Sequence, residues 1–400
     1  MLPLSNLKVL ELGQYAAGPY ACMVLADLGA EVIKVELPET GEPFRNFGGG
    51  YEAAYFVANN RNKKSFSVDL KNSRGKEIML KLLADSDIFL ENLAPDTTDK
   101  LGFSYPIASK LNPHLIYCSL KGYGEGPYEK RPAFDPVIEA ESGFMSVTGE
   151  PGRPPVRIGG PVIDYVAGTF AVIAIMGALK NREKTGRGEM LEVNMFESAV
   201  SMISQLLNEY AVYGILPHKL GSGWGAYKTF KARDDYVFVG VVSDGHWQKF
   251  CDAFGVSDKV RIEFANREQR DENDEKLEKT VAAIVSKLKA REVAEKLAEA
   301  QVPGAPINTM KEIMEDPHLK FRKSLVPLAS DVEVTLTKEP RSAACPILPI
   351  RSEWYNASVT DKWMPAQKLG AQTVEILQRL GYSERQIIDL RKSKVVWPYL

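Results

Sequence analysis

The sequence predicts an α/β protein built from a doubly wound, Rossmann-like large domain and a small α+β domain. Over the first 120 residues, short β-rich runs alternate with helix-period segments, which is typical of a parallel sheet covered by helices. Beyond residue 227 the pattern changes to a β-pair followed by helices. The chain has 400 residues and is 44% hydrophobic, so it is long enough for two or three packed units.

The first βαβ unit is predicted as a strand, a helix and a strand at 8–12, 19–28 and 31–36. We expect Ser73 to cap a helix that runs to residue 85, because serine oxygens accept hydrogen bonds from the first N–H groups of helices. Further strands are predicted at 88–90, 115–120 and 190–193, and helices at 135–144, 164–181, 195–213, 366–380 and 383–391.

The predicted domain limits follow changes in amino-acid composition and periodicity along the chain. The first part of the large domain is expected at 1–213, and a linker with a glycine-rich loop at 214–227. The small α+β domain follows at 228–315, with a β-pair at 228–232 and 236–242. A proline-containing second linker at 316–365 leads to C-terminal helices at 366–400, which return to the large domain.

Charge and cysteine content exclude several classes of partner. The 50 Lys and Arg residues nearly balance 52 Asp and Glu, and no basic block is present, so neither nucleic acid nor an anionic membrane is an expected partner. The four cysteines lie far apart and are expected to be reduced thiols, and the four histidines share no metal-ligand spacing. We therefore expect no metal site.

The chain is expected to be cytoplasmic. Its N-terminus lacks the charged region, apolar region and cleavage site of a signal peptide. The longest apolar run, 165–179, is about five residues shorter than a membrane span.

A turn follows the first strand where nucleotide-binding βαβ units carry their phosphate loop. Its glycines, Gly13 and Gly18, are five positions apart, and Pro19 removes an N–H that would face a phosphate. The turn therefore disfavours a nicotinamide or flavin cofactor. A structural turn and a ligand-binding turn both remain open on this motif alone.

Two charged features of the sequence each allow a structural and a functional interpretation. Cations concentrate at 60–64 and at Lys71 and Arg74, which is either a solvated face or a phosphate site. Asp164 follows two glycines and precedes the most apolar helical stretch. An Asp at this place is commonly an N-cap, but a helix N-terminus also stabilises a carboxylate that acts as a nucleophile.

The order and spacing of several motifs along nearly the whole chain resemble the class III CoA-transferases, such as the formyl-CoA and carnitine enzymes. The motifs that carry the resemblance are Gly18-Pro19, 25–36, Asn62-Lys63-Lys64-Ser65, Glu91-Asn92-Leu93, 120–124, Asp164, 183–188 and Gly381-Tyr382-Ser383.

The resemblance implies a covalent mechanism. Asp164 falls on the family's nucleophile, which attacks an acyl-CoA thioester to give a mixed anhydride and then an aspartyl-CoA thioester, from which a carboxylic acid takes the CoA. Acyl-CoA is thus a substrate, and no tightly bound cofactor is expected. Asp135 matches an active-site carboxylate, and a glycine-rich loop over the site falls on Gly221, Gly223 and Gly225.

The family's contacts to CoA can be carried over by position. They fall on Gln14, Tyr15, Ala16, Val68, Lys71, Asn92, Leu93, Lys100 and Leu101. Ala16 stands where formyl-CoA transferases carry a Gln, which argues against formate or oxalate as the acid. Leu37 replaces a basic residue of those enzymes, so Arg61, Lys63 or Arg74 is expected to neutralise the remaining phosphate charge.

Two alternatives remain open at this point. The α-methylacyl-CoA racemases share the fold and the Asp, but they need a His as a second base, and here the matching triplet is Ala133-Phe134-Asp135. A non-catalytic CoA-binding protein is the other alternative, although it would need no Asp164. The resemblance also implies an interlocked, ring-like homodimer.

Overall fold

The computed structural model describes residues 2–46, 52–217, 219, 226–328 and 343–400. The chain divides into two compact units. The first consists of residues 1–142, 159–202 and 317–400, and the second of residues 143–158 and 203–316. The predicted domain limits stay predictions.

The described strands in chain order are β1 Lys8–Leu12, β2 Glu31–Glu36, β3 Lys63–Ser67, β4 Ile88–Glu91, β5 Ile116–Lys121, β6 Met190–Asn194, β7 Tyr227–Lys231, β8 Tyr236–Gly240, β9 Gly304–Pro306, β10 Leu325–Leu328 and β11 Ala343–Pro346.

The described α-helices in chain order are α1 Ala17–Asp27, α2 Glu52–Asn60, α3 Ser73–Ala84, α4 Thr97–Leu101, α5 Tyr105–Leu111, α6 Asp135–Glu141, α7 Phe144–Val147, α8 Val162–Thr185, α9 Met195–Met202, α10 Ser204–Tyr213, α11 Asp244–Phe254, α12 Asp258–Glu263, α13 Arg267–Glu272, α14 Asp274–Val285, α15 Ala290–Glu299, α16 Met310–Glu315, α17 Pro317–Phe321, α18 Thr373–Arg379 and α19 Glu384–Lys392.

The first unit is organised around a six-stranded sheet with the order β3-β2-β1-β4-β5-β6. Every pairing in this sheet is parallel, which confirms the predicted α/β class. The order is that of doubly wound folds, in which the chain moves outward from β1 in one direction and then from β4 in the other. Ligands bind in such sheets at the carboxyl ends of the strands on either side of this reversal.

The second unit contains an antiparallel sheet with the order β7-β8-β9. The predicted β-pair is present as β7 and β8, in which Lys228 pairs with Val239. A core of apolar side chains that includes Trp247, Phe250 and Phe264 packs beside this sheet. The separate core explains why these residues form a compact unit of their own.

Some local predictions differ from the structure. Asn72, not Ser73, caps α3, and its side chain accepts a hydrogen bond from the N–H of Arg74. The predicted helix at 195–213 is divided at Ile203 into α9 and α10. The predicted helix at 366–380 is shortened to α18, because Gly370 has a φ of +70° and turns the chain just before it.

The helix α8 has 24 residues and, by length and composition, is long and apolar enough to cross a membrane. The prediction that this apolar segment is too short to cross a membrane is therefore wrong as far as length is concerned. Core helices of soluble proteins have the same length and composition, and α8 packs on α1 and on β5. Gly168 allows the close approach to α1, since a Cβ at this position would lie 2.8 Å from the carbonyl oxygen of Ala17.

Candidate active site

A cleft of about 430 Å³ opens at the carboxyl ends of β1, β4 and β5, where the strand order reverses. Its wall combines segments that follow each of these strands with the start of α8. The lining residues are Gln14, Tyr15, Ala17, Asn92, Leu93, Ala94, Pro95, Leu120, Lys121, Gly122, Glu129, Lys130, Arg131, Pro132, Ala133, Phe134, Asp164 and Met195. This is the place where doubly wound folds bind their ligands.

The turn after β1 is held by side chains of neighbouring strands and loops. The side chain of Asn92 accepts a hydrogen bond from the N–H of Gln14 at 2.8 Å and donates one to its carbonyl oxygen at 2.9 Å. Glu42 accepts a hydrogen bond from the N–H of Tyr15 at 2.9 Å. Asn92, which the resemblance places in contact with CoA, thus fixes the backbone of the turn.

A buried ion network lies beneath this turn. Lys34 contacts Glu11 at 2.8 Å and the carbonyl oxygen of Gly13 at 2.9 Å, and Lys63 contacts Glu11 at 2.7 Å. Burial opposes the charge of Glu11, but the two ammonium groups outweigh it and hold the pKa of this carboxyl below its usual range. The network is therefore a set of fixed charges that support the turn.

The cations proposed to neutralise phosphate are committed elsewhere, so this expectation is wrong for Arg61 and Lys63. Arg61 is 1% exposed and binds Asp27 at 2.6 Å. Lys63 is 2% exposed and belongs to the ion network. Arg74 is more accessible but pairs with Asp389 at 2.6 Å.

Asp164 is the third residue of α8 and is therefore not its N-cap, a position that Pro161 occupies. The capping oxygen comes from Asp135 at the start of α6. Its Oδ2 accepts hydrogen bonds from the N–H groups of Ile163 at 2.8 Å and Asp164 at 3.2 Å. Asp135 thereby fixes the first turn of α8 and leaves the Asp164 carboxylate facing the cleft that it lines.

Both carboxyls of this pair are less acidic than usual. Burial and the nearby charge of Asp135 raise the pKa of Asp164 to about 7. Burial and a side-chain hydrogen bond to Glu139, a fully buried residue one turn along α6, raise the pKa of Asp135 to about 6. A carboxylate that is costly to ionise in this way is a stronger base, and clustered perturbed carboxyls are typical of active sites.

The predicted CoA-contacting residues divide into three groups. Gln14, Tyr15, Asn92 and Leu93 line the cleft together with Asp164. Ala16 and Val68 are buried in the fold. Lys71 and Lys100 are exposed, and Leu101 packs partly against the core, all three outside the lining of the cleft.

The three loop residues expected above the active site, Gly221, Gly223 and Gly225, lie outside the described residues. Their role above the active site therefore stays a prediction from the sequence.

The sequence reasoning missed the cations of the cleft. Lys121, at the end of β5, contacts Glu91 at 2.8 Å and the carbonyl oxygen of Leu93 at 2.7 Å. Arg131 stacks on Tyr128 at 3.7 Å, and Lys130 is largely solvated. The sequence does contain a signal for Lys121, because it is a charged residue at the carboxyl end of an otherwise apolar and buried parallel strand.

The lining also bears on the alternative of a racemase. Phe134, which stands where racemases carry their His, is 55% exposed on the cleft wall. Its ring meets that of Tyr15 edge-on at 5.5 Å. Among the described lining residues there is no imidazole that could return a proton.

Within the ranges that the structure describes, no group of three His, Cys, Asp or Glu residues is placed to hold a metal ion. The four cysteines are free and buried.

A cleft at the switch point of a doubly wound parallel sheet is typical of α/β enzymes. Residues 4–347 match the family model for CoA-transferase family III. The chain belongs to this family. The resemblance inferred from the sequence and the predicted enzyme class are both confirmed.

Named relatives cover nearly the whole chain. It is 33% identical to the succinyl-CoA:glutarate CoA-transferase of Homo sapiens, over 98% of this chain and 90% of that protein. It is 30% identical to the succinate–glutarate CoA-transferase of Agrobacterium fabrum, over 96% of this chain and 97% of that one. It is 31% identical to the succinyl-CoA–L-malate CoA-transferase alpha subunit of Chloroflexus aurantiacus, over 99% of this chain and 93% of that protein.

Solved structures show the same fold. A CaiB/BaiF family protein from Brucella suis superposes with a TM-score of 0.84 at 31% identity, covering 95% of this chain and 99% of that one. A hypothetical protein from Mycobacterium tuberculosis superposes with a TM-score of 0.80 at 30% identity, covering 94% of this chain and 99% of that one.

Proposed function

We propose that this enzyme transfers CoA from an acyl-CoA to a carboxylic acid by covalent catalysis at Asp164. The single observation that supports this most strongly is the Asp164 carboxylate on the wall of the switch-point cleft, fixed through its own backbone by Asp135. Gln14, Tyr15 and Leu93 line the same cleft and suit the CoA moiety.

The proposed reaction consists of two exchanges at the Asp164 carboxyl. Its oxygen attacks the thioester carbonyl, the C–S bond breaks, and an acyl-aspartyl anhydride and CoA thiolate form. The thiolate then attacks the aspartyl carbonyl, which releases the donor acid and leaves an aspartyl-CoA thioester. The acceptor carboxylate attacks this thioester and reverses the sequence, so CoA leaves on the acceptor and Asp164 is regenerated.

We further propose that the acids exchanged are dicarboxylic. The relatives are named for succinyl-CoA with glutarate or L-malate, which are all dicarboxylates. The cleft wall carries Lys121, Lys130 and Arg131, which also contact Glu91, Asp96 and Glu141 outside the lining. Lys130 and Arg131 keep exposed donor groups on this wall, which suit the second carboxylate of a dicarboxylic substrate.

We also propose a homodimer, interlocked as the family resemblance implies. Phe170, Ile173 and Met176 are spaced along α8 and are 37%, 59% and 39% exposed, an apolar surface that a second subunit would cover. Sedimentation velocity gives the mass in solution. A cytoplasmic location remains a proposal from the sequence.

The function is tested by incubating the protein with succinyl-CoA and a panel of monocarboxylic and dicarboxylic acids. We expect mass spectrometry to show new CoA thioesters of dicarboxylates, and no transfer by the Asp164→Asn variant. Incubation of an (S)-2-methylacyl-CoA and an added carboxylic acid in D₂O separates a transferase from a racemase, since attack at the carbonyl leaves the α-proton in place, whereas racemisation removes and returns it. Rapid α-deuteration without transfer would favour the racemase.

A further inference from the structure

The polar backbone groups of the turn between β1 and α1 are bound by side chains from elsewhere in the sheet. Lys34 binds the carbonyl oxygen of Gly13, and Asn92 binds both polar groups of Gln14. Glu42 binds the N–H of Tyr15. The side chains of Gln14 and Tyr15 therefore project from a backbone that is fixed at three successive residues.

Tyr15 requires such support more than its neighbours. Its φ is +62°, which lies in the left-handed region that residues with a side chain rarely adopt. Glycine would adopt this conformation without strain, but the chain has a tyrosine there, so the ring is held at a strained backbone position. The ring meets Phe44 and Phe134 edge-on, each at 5.5 Å. Phe134 and Tyr15 both line the cleft, so the strained position sets part of the ligand-binding wall.

Glu42 is itself held in place. It is 3% exposed, and its Oε2 accepts hydrogen bonds from the N–H groups of Tyr15 at 2.9 Å and Phe44 at 3.3 Å. Its Oε1 lies 3.8 Å from the ammonium of Lys34 and 3.5 Å from the amide nitrogen of Asn60. The carboxylate therefore joins the buried ion network to the strained residue on the cleft wall.

We propose that Glu42 is a positioning residue for acyl-CoA, which keeps Tyr15 in its left-handed conformation and its ring on the cleft wall. This rests on the proposed function, in that the ligand of the cleft is an acyl-CoA. A residue of purely structural importance would change stability without acting through Tyr15. Glu42 acts on the ligand only through Tyr15, and this difference can be measured.

Three variants separate the two roles. Glu42→Ala removes the acceptor and is expected to raise KM for acyl-CoA about ten- to hundredfold, with a much smaller change in kcat. Glu42→Gln keeps an oxygen that can accept the N–H of Tyr15, so it should restore most of the affinity. Glu39→Ala is the matched control, since this exposed residue lies three positions upstream and should leave KM unchanged.

A double-mutant cycle with Tyr15→Ala gives the decisive result. If Glu42 acts through Tyr15, Glu42→Ala adds little to KM when the ring is already absent. Fully additive effects on KM, or a fall in melting temperature with KM unchanged, would overturn the proposal. If Glu42→Ala does not fold, the cycle is run with Glu42→Met, which fills the volume of the side chain without a carboxylate to accept the N–H of Tyr15, and its effect on KM must likewise vanish without the ring.

Calorimetric titration with CoA keeps this test separate from the transfer mechanism. Weaker CoA binding by Glu42→Ala than by the parent protein supports the proposal even if transfer through Asp164 fails. A parent protein that binds neither CoA nor acyl-CoA would overturn it.

Discussion

The charge on Asp164 is the residue-scale property on which the proposed chemistry depends. Only the ionised carboxylate attacks a thioester, yet burial and Asp135 raise its pKa to about 7. A substantial fraction of this group is therefore protonated near neutral pH. The same perturbation makes the ionised form a better nucleophile than an exposed Asp, because nucleophilicity rises with basicity.

A pH profile tests this charge balance. Because Asp164 must be ionised, kcat/KM should rise with pH through about 7. Asp135→Asn keeps an oxygen to accept the N–H groups of Ile163 and Asp164 but removes the negative charge that opposes ionisation. We expect the acid limb of this variant to move to lower pH. A limb that stays in place, with activity retained, would show that Asp135 does not control Asp164.

The same pKa makes a prediction about stability. A carboxyl whose pKa is higher in the folded than in the unfolded state stabilises the fold fully at pH below its unfolded value, near 3.8, and loses this contribution as pH rises through about 7. Asp164→Asn cannot ionise, so its advantage over the parent should grow between pH 5 and 8. At about 1.4 kcal/mol per pKa unit, the shift from 3.8 to about 7 corresponds to roughly 4 kcal/mol in total, of which about 2.5 kcal/mol arises between pH 5 and 8. Denaturant unfolding at both pH values measures it, and an advantage independent of pH would contradict the assignment.

Individual residues also show where sequence reasoning stops. Asp164 was identified from its place before an apolar helix, and it does line the cleft. Arg61 and Lys63 were expected near phosphate because cations are dense in that segment, yet both are buried and ion-paired. Their partners, Asp27 and Glu11, are distant in sequence, so local charge density carries no information about the pairing.

At the scale of elements, the contact between α1 and α8 sets the position of the candidate nucleophile. Asp164 is one turn from Gly168, where α8 lies close against the backbone of α1. A Cβ at Gly168 would lie 2.8 Å from the carbonyl oxygen of Ala17 and 2.9 Å from the ring of Tyr20. The helices would have to separate to accommodate it.

A pair of glycine variants on α8 tests this packing. Gly168→Ala should lower the free energy of unfolding by about 1–3 kcal/mol and reduce kcat, since it displaces the start of α8. Gly177→Ala is the comparison on the same helix: apart from the local backbone of α8, no atom in the described part of the subunit lies within 4 Å of the new Cβ, so this change should cost much less than Gly168→Ala. Equal effects of the two changes on unfolding would contradict the close contact.

The bounds of an element were predictable where its apolar run and the turn that follows it mark the same limit. The strands β1 and β2 begin and end at the predicted residues, because short runs rich in Val, Ile and Leu, each followed by a turn, define them. The start of α18 was not predictable in this way, since residues 366–372 contain good helix formers and only the left-handed Gly370 excludes them. Local propensity does not reveal such a turn.

At the scale of the whole molecule, the family was predictable because its motifs are spread over the chain in a fixed order. The membership of segments in compact units was not evident from the sequence. Residues 143–158 separate α6 from α8 in the chain, yet they belong with 203–316 in the second unit. Periodicity describes a segment's own structure and contains little information about the segments against which it packs.

The most direct test of the whole account is to trap the covalent intermediate. The protein is incubated with succinyl-CoA and hydroxylamine, digested, and analysed by peptide mass spectrometry, with Asp258→Asn as a control that changes an exposed carboxylate in the second unit. Hydroxylamine attacks the activated aspartyl carbonyl and displaces CoA thiolate or the donor acid, leaving a hydroxamate. We expect a hydroxamate at residue 164 in the parent and the control, dependent on the thioester. CoA transfer without this adduct, or an adduct at another carboxylate, would contradict Asp164 as the nucleophile.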